Sequence, residues 1–180
     1  MNRLRKASIV LKLGTAMRDR GSWMGETHIQ KATYFLQQLL EVPLDFGFIL
    51  YKHGPFSFDF RDFLAYMEAE EFISWQAHPP YGPSLRKGEM GEALIDQFGD
   101  LTSAFDSKIN FVADRLGTKN VAELERIATA LYVTQEEMIE GPGRASRLME
   151  LKPHIDIAQS QAAIAELDAM RAALTTTYFD

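Results

Sequence analysis

One ten-residue stretch constrains this chain more than any other: Tyr51-Lys52-His53-Gly54-Pro55-Phe56-Ser57-Phe58-Asp59-Phe60. The apolar run before it, residues 46–51, is short, aromatic and β-branched and is bounded by Asp45 and Gly54, which predicts a strand. The chain then turns a Gly-Pro corner and passes directly into a helix. Ser57 has the side chain of an N-cap, because its hydroxyl accepts from the free N–H groups of a first helical turn. Asp59 in that turn suits the positive end of the helix dipole. Phe60, Phe63, Leu64 and Met67 follow at helical spacing as a buried stripe. Strand end, corner, cap and core stripe account for each residue of the segment, so it reads as a fold marker rather than a centre of chemistry.

The elements on either side follow from periodicity. Residues 5–19 carry Ile9, Val10, Leu13, Ala16 and Met17 at helical spacing, and Gly21-Ser22 ends the run. Residues 26–41 form the clearest helix, with Ile29, Ala32, Phe35, Leu36, Leu39 and Leu40 on one side and Gln30, Gln37 and Gln38 opposite. Pro43 is the expected stop, because proline disfavours helical angles in the residue before it. Residues 72–76 predict a strand. His78-Pro79-Pro80-Tyr81-Gly82-Pro83 is expected to be irregular, since prolines lack the N–H a ladder needs. A return through Leu85 would complete a hairpin with an aromatic, proline-rich tip.

Beyond Gly88 the chain reads as helical. Residues 89–116 carry Met90, Leu94, Ile95, Phe98, Leu101, Phe105, Ile109 and Val112, with a kink expected at Gly99. Asn120 and Glu123 have the spacing of a capping box before Val121, Leu124, Ile127, Ala128 and Leu131. Gly141-Pro142-Gly143 is the clearest internal break, and Lys152-Pro153 interrupts a brief helix after it. Asp156 with Gln159 would cap a last helix bearing Ile164, Leu167 and Met170. The fold class is therefore mainly α (α+β): a helical domain over residues 1–140 with a winged-helix-like core and one small hairpin, and a C-terminal helical extension over 141–180 packed on the same domain.

Bulk properties bound the function. A chain of 180 residues with 46% apolar content can bury a sizeable core. Arg3, Arg5 and Lys6 precede Ile9-Val10-Leu11 as in an export signal, but Lys12 breaks the apolar run and no small-residue cleavage site follows, so the expected location is cytoplasmic. With no cysteines, disulfides, thiolate metal sites and cysteine nucleophiles all drop out. The net charge of −6 disfavours a general nucleic-acid binder. Charge is unevenly spread, with a net of +5 over residues 1–20 and −4 over residues 59–71.

A helix followed by a hairpin, as in residues 57–87, suggests a winged-helix scaffold with the helix in the recognition position. The helix is acidic and offers only Arg61 among base-reading side chains, whereas DNA carries a negative charge every ~1.7 Å of axis. Lys52, His53, Arg86 and Lys87 are the residues that would contact phosphates in such a DNA-binding regulator. The stronger reading is a protein partner. Asp59, Asp62, Tyr66, Trp75 and Tyr81, on the acidic helix and the hairpin, are the candidate contacts, because aromatic side chains anchor interfaces.

Two motifs carry a family resemblance. His28-Ile29-Gln30-Lys31-Ala32-Thr33-Tyr34-Phe35-Leu36, then Tyr51-Lys52-His53-Gly54-Pro55-Phe56-Ser57, resembles the "LQKLLYFL … YGPFS" pattern of the YwgA-like bacterial proteins and, more distantly, of the Panacea (SocA-like) antitoxin domain. The similarity continues in residues 120–129 and in Leu151-Lys152-Pro153-His154, although the C-terminal half departs from the Panacea pattern. For the YwgA-like proteins the resemblance implies a mostly helical fold. For Panacea it implies an antitoxin that neutralises a partner by direct binding.

No catalytic constellation emerges. His28, His53, His78 and His154 are widely separated, and none belongs to an HExxH pair. Ser57 lacks a GxSxG elbow. Gly141-Pro142-Gly143-Arg144 lacks the Lys-Ser/Thr of a phosphate loop. The expectation is a non-enzymatic protein with no cofactor and no metal.

Overall fold

The structure, a computed structural model, describes residues 1–177. It is mainly α with a small β part, and the described chain divides into two compact units: residues 1–49 with 56–119, and residues 50–55 with 120–177. The break at Gly141-Pro142-Gly143 thus lies inside the second unit, where the helices on both sides of it pack together.

The first unit is built around α1 (Arg3–Asp19), which packs against α2 (Glu26–Gln38), α4 (Gly91–Thr102), α5 (Asp106–Leu116) and strand β4 (Tyr81–Lys87). Ala7, Ile9, Val10, Leu11, Leu13 and Met17 are all buried, so α1 is apolar on more than one face, as a helix enclosed by neighbours must be. Gly14 lets β4 come close: a Cβ there would stand 3.3 Å from the Leu85 side chain. Helix α3 (Phe58–Ala69) packs against β3 (Ile73–His78), which pairs antiparallel with β4. The Ser57 hydroxyl accepts from the Phe60 N–H at 3.1 Å, and Phe60, Phe63, Leu64 and Met67 are buried, as the stripe requires.

Five local expectations are corrected. Helix α2 ends at Gln38, before the proline, because Glu41 takes a left-handed φ of 55° and Val42 N–H returns to the Leu36 carbonyl. Only Ile49–Tyr51 (β1) of the run 46–51 is strand, because the Gln37 side chain takes both the N–H and the carbonyl of Phe46, each at 2.9 Å. The Gly-Pro corner is itself a short strand, Gly54–Phe56 (β2), paired with β1. The proline-rich segment is largely strand: His78 ends β3, Tyr81 begins β4, and the cis Pro79–Pro80 bond lies in the turn. A register irregularity between Gln76 and His78 accommodates the region of Pro83, which cannot donate to the ladder. Finally, residues 89–116 are two helices joined by a 3₁₀ turn (Ser103–Phe105), with the break after Thr102 rather than at Gly99. There the Thr102 hydroxyl bonds the Phe98 and Gly99 carbonyls, and the Lys12 ammonium reaches the Gly99 carbonyl at 3.0 Å and Asp106 at 2.8 Å. Met90, which stands at the N-cap of α4, and Leu101 are exposed instead of buried.

The second unit contains α6 (Val121–Gln135), α7 (Gly143–Leu151) and α8 (Ile157–Thr177), each packed on the other two. Asn120 and Glu123 close a reciprocal capping box on α6, and Asp156 with Gln159 does the same before α8. Ile164, Leu167 and Met170 are buried. Arg144 grips Asp168 with two parallel 2.7 Å hydrogen bonds, tying α7 to α8.

Candidate functional site

Among the described residues, the most exposed aromatic surface lies where the loop before α2 meets the β3–β4 hairpin. Leu85 N–H donates to the Met24 carbonyl at 2.8 Å, and the Arg18 guanidinium donates to the Leu85 carbonyl at 3.1 Å, so loop and hairpin are fastened together. Met24 is fully buried by this arrangement. Its neighbour Trp23 is pushed outward, 44% exposed. The Trp23 ring lies 4.9 Å from the His78 ring and 6.0 Å, edge to face, from Tyr81. His78 is oriented by a 3.0 Å contact between its Nε2 and the Ser84 hydroxyl. Tyr81 is 73% exposed, a large apolar investment to leave in water.

The other predicted contacts are distributed unevenly. Trp75 sits opposite Leu85 in the ladder and is half-buried, so it serves the hairpin's packing more than its surface. Asp59, Asp62 and Glu68 are exposed on α3, and Glu70 and Glu71 are exposed just beyond its end. Tyr66 is half-buried beneath the Arg3 guanidinium, 3.7 Å from the ring centroid. Lys6 lies 3.4 Å from Asp45 and stands over Phe46. The basic N-terminus thus reaches an aromatic ring of α3 through Arg3, while the ion pair of Lys6 is made with Asp45, outside the acidic stretch 59–71.

The four candidate DNA contacts do not share a unit. Arg86 and Lys87 belong to the first, where Arg86 donates to Gln76 at 2.6 Å and Lys87 pairs with Glu92. Lys52 and His53 form the β1–β2 turn, which belongs to the second.

In the second unit the sequence reading misses a buried ion-pair centre. The Lys152 ammonium donates to the Tyr51 carbonyl at 2.9 Å and to the Lys52 carbonyl, and pairs with Glu125 Oε1 at 3.1 Å. Both side chains are less than a tenth exposed. His53 Nδ1 stands 3.7 Å from Glu125 Oε2 and His154 Nε2 3.6 Å from Oε1, both imidazoles being largely in solvent. Two ammonium donors are taken by the backbone carbonyls, and Glu125 is held by charge, its Oε1 having no hydrogen-bond partner; the lysine thereby ties the hairpin turn to α6 and α7. The available signal was that three of the motifs singled out in the sequence, residues 51–57, 120–129 and 151–154, supply this centre. Among the described residues, no three histidine, aspartate or glutamate side chains converge so as to hold a metal ion.

Burial shapes one further ionisable group near the aromatic surface. His28 is buried, and desolvation lowers its pKa, keeping the imidazole neutral. Its Nδ1 has no hydrogen-bond partner.

Among the described residues, no helix is long and apolar enough to cross a membrane. No protein-family model matches the chain, and no curated protein matches it in sequence. Fold and surface together define a mainly α protein with a small β part whose hairpin tip presents packed aromatic rings to solvent.

Proposed function

We propose that this chain is a non-enzymatic protein-interaction module that binds a protein partner through the β3–β4 hairpin tip and the acidic face of α3. The observation that carries the reading is Tyr81, 73% exposed and packed on an exposed Trp23. Exposed aromatic clusters are characteristic of interface anchors, because each ring desolvates a large area at little entropic cost. Asp59 and Asp62, exposed on α3, add electrostatic steering toward a complementary partner. The resemblance to the YwgA-like proteins and to the Panacea antitoxin domain supports a partner of the toxin or phage-defence kind, with this chain as its neutraliser or regulator. In the same reading, α3 followed by the β3–β4 hairpin takes the helix-then-wing order of a winged-helix scaffold, with the wing acting as a protein contact.

The test is capture of the partner from the native host by the full chain, repeated with Trp23→Ala/Tyr81→Ala and with Asp59→Asn/Asp62→Asn. A specific protein that wild type retains and the aromatic variant loses supports the proposal. Equal recovery by both chains refutes it.

A further inference from the structure

The aromatic corner has a floor as well as walls. Gly25 lies beneath Trp23, and a Cβ built there would stand 3.5 Å from Trp23 Cδ1, 3.6 Å from His28 Nδ1 and 3.7 Å from the Pro83 carbonyl oxygen. Those are ordinary contact distances at a φ of −71°, so glycine is not demanded by backbone strain. What its absent side chain leaves is a niche bordered by an indole, a carbonyl oxygen and a buried nitrogen with no hydrogen-bond partner.

Against the positive N-terminal end of α2, which begins at Gly25, two features of this niche attract a cation. Ring faces carry negative quadrupole potential, and the Pro83 carbonyl adds its dipole. Glu26, next in sequence to Gly25, is exposed. The guanidinium donors of the neighbouring cations are directed to neutral groups, Arg18 to the Leu85 carbonyl and Arg86 to Gln76, and not to the rings. Among the described residues, the arginines and lysines that stand over rings do so at Tyr66, Phe46, Phe56, Phe58 and Phe111, not at this corner. His28, kept neutral by its burial, contributes no opposing charge.

We propose that the corner formed by Trp23, Gly25, His78 and Tyr81 receives a cationic side chain, arginine above all, from a basic segment of the protein partner. The inference rests on the hairpin tip being the partner-binding surface and adds the chemistry that the surface selects. Arginine fits better than lysine because its planar guanidinium stacks on an aromatic face while its edge donates to a carbonyl. The acidic face of α3 favours the same class of partner.

The experiment uses the full chain at about pH 8, where an unperturbed imidazole is neutral, and follows the Trp23 indole N–H resonance. The probes are acetyl-Gly-Arg-Gly-Arg-Gly-amide and its citrulline counterpart, which keeps the shape and removes the charge. The arginine peptide is expected to move the Trp23 resonance and to bind at least about threefold tighter than the citrulline peptide. Tyr81→Ala, at a solvent-facing position, and Gly25→Ala, which fills the niche without a clash, should each weaken the arginine peptide by a similar factor, their folding being checked by the remaining amide resonances. Equal binding of both peptides, or arginine-dependent shifts confined to α3, overturns the assignment. If Tyr81→Ala abolishes capture of the native partner while the two peptides bind alike, the surface stands and its cation selectivity falls. If Tyr81→Ala retains both partner and peptide, the surface and its selectivity fall together.

Discussion

Replacing Lys152 by methionine removes the ammonium while nearly preserving the volume of its stem, and so isolates what the buried ion pair contributes. In the variant, the Glu125 carboxylate stays 8% exposed without its main counter-charge, and the Tyr51 and Lys52 carbonyls lose their donor. Removing one partner of a buried pair costs about 3–5 kcal/mol. The lower end applies here, because His53 and His154 stand within 4 Å of Glu125 and can share its charge, and because the exposed turn lets water reach both carbonyls. An expected loss of about 3 kcal/mol corresponds to roughly a hundredfold rise in the open population of the second unit. Lys152→Met combined with Glu125→Leu leaves no orphaned charge and should recover most of that loss. Indole fluorescence would miss the change, since both tryptophans, Trp23 and Trp75, belong to the first unit. The suitable assay is amide hydrogen exchange resolved on α6, α7 and residues 50–55, supported by urea unfolding followed by circular dichroism. A single variant that loses less than about 1 kcal/mol would refute the reasoning, as would a double variant no better than the single.

Two further outcomes are expected. Gln30→Leu should destabilise the first unit by about 2–4 kcal/mol, because its buried amide serves both the N–H and the carbonyl of Ser57 at 3.0 Å and the variant orphans both; thermal unfolding monitored by tryptophan fluorescence measures this. Burial lowers the His28 pKa below 6.5, so the folded chain binds that proton less readily than the unfolded chain. Stability linked to His28 is therefore intact above the unfolded value and declines as pH falls through it toward the folded one. Unfolding temperatures measured between about pH 8 and pH 5 should fall less steeply for His28→Gln than for wild type; parallel curves would contradict the assignment.

Local chemistry was legible in the sequence wherever its partners are close in sequence. The Ser57 cap, the Asn120–Glu123 box and the Asp156–Gln159 pair each span three residues, and each forms as the residue types require. Strand limits were less legible. Whether Phe46 joins a ladder depends on Gln37, nine residues away, whose amide outcompetes a neighbouring strand for the same backbone groups. The helix break after Thr102 was hidden for a similar reason, because Lys12 supplies the donor and lies almost ninety residues earlier.

The candidate surface shows the same division. Tyr81 in a proline-rich turn was already recognisable as a side chain with little access to a core. Its junction with Trp23 depends on Leu85 N–H finding the Met24 carbonyl, and only the tertiary structure brings those groups together. The sequence by itself determined the mainly α class, the caps and the core stripes, because periodicity and capping act within a few residues. The tertiary structure alone decided that Lys152 meets Tyr51, that Arg3 covers Tyr66, and that Gly25 leaves a niche beneath an indole. Those pairings join residues far apart in sequence, and no local preference encodes them.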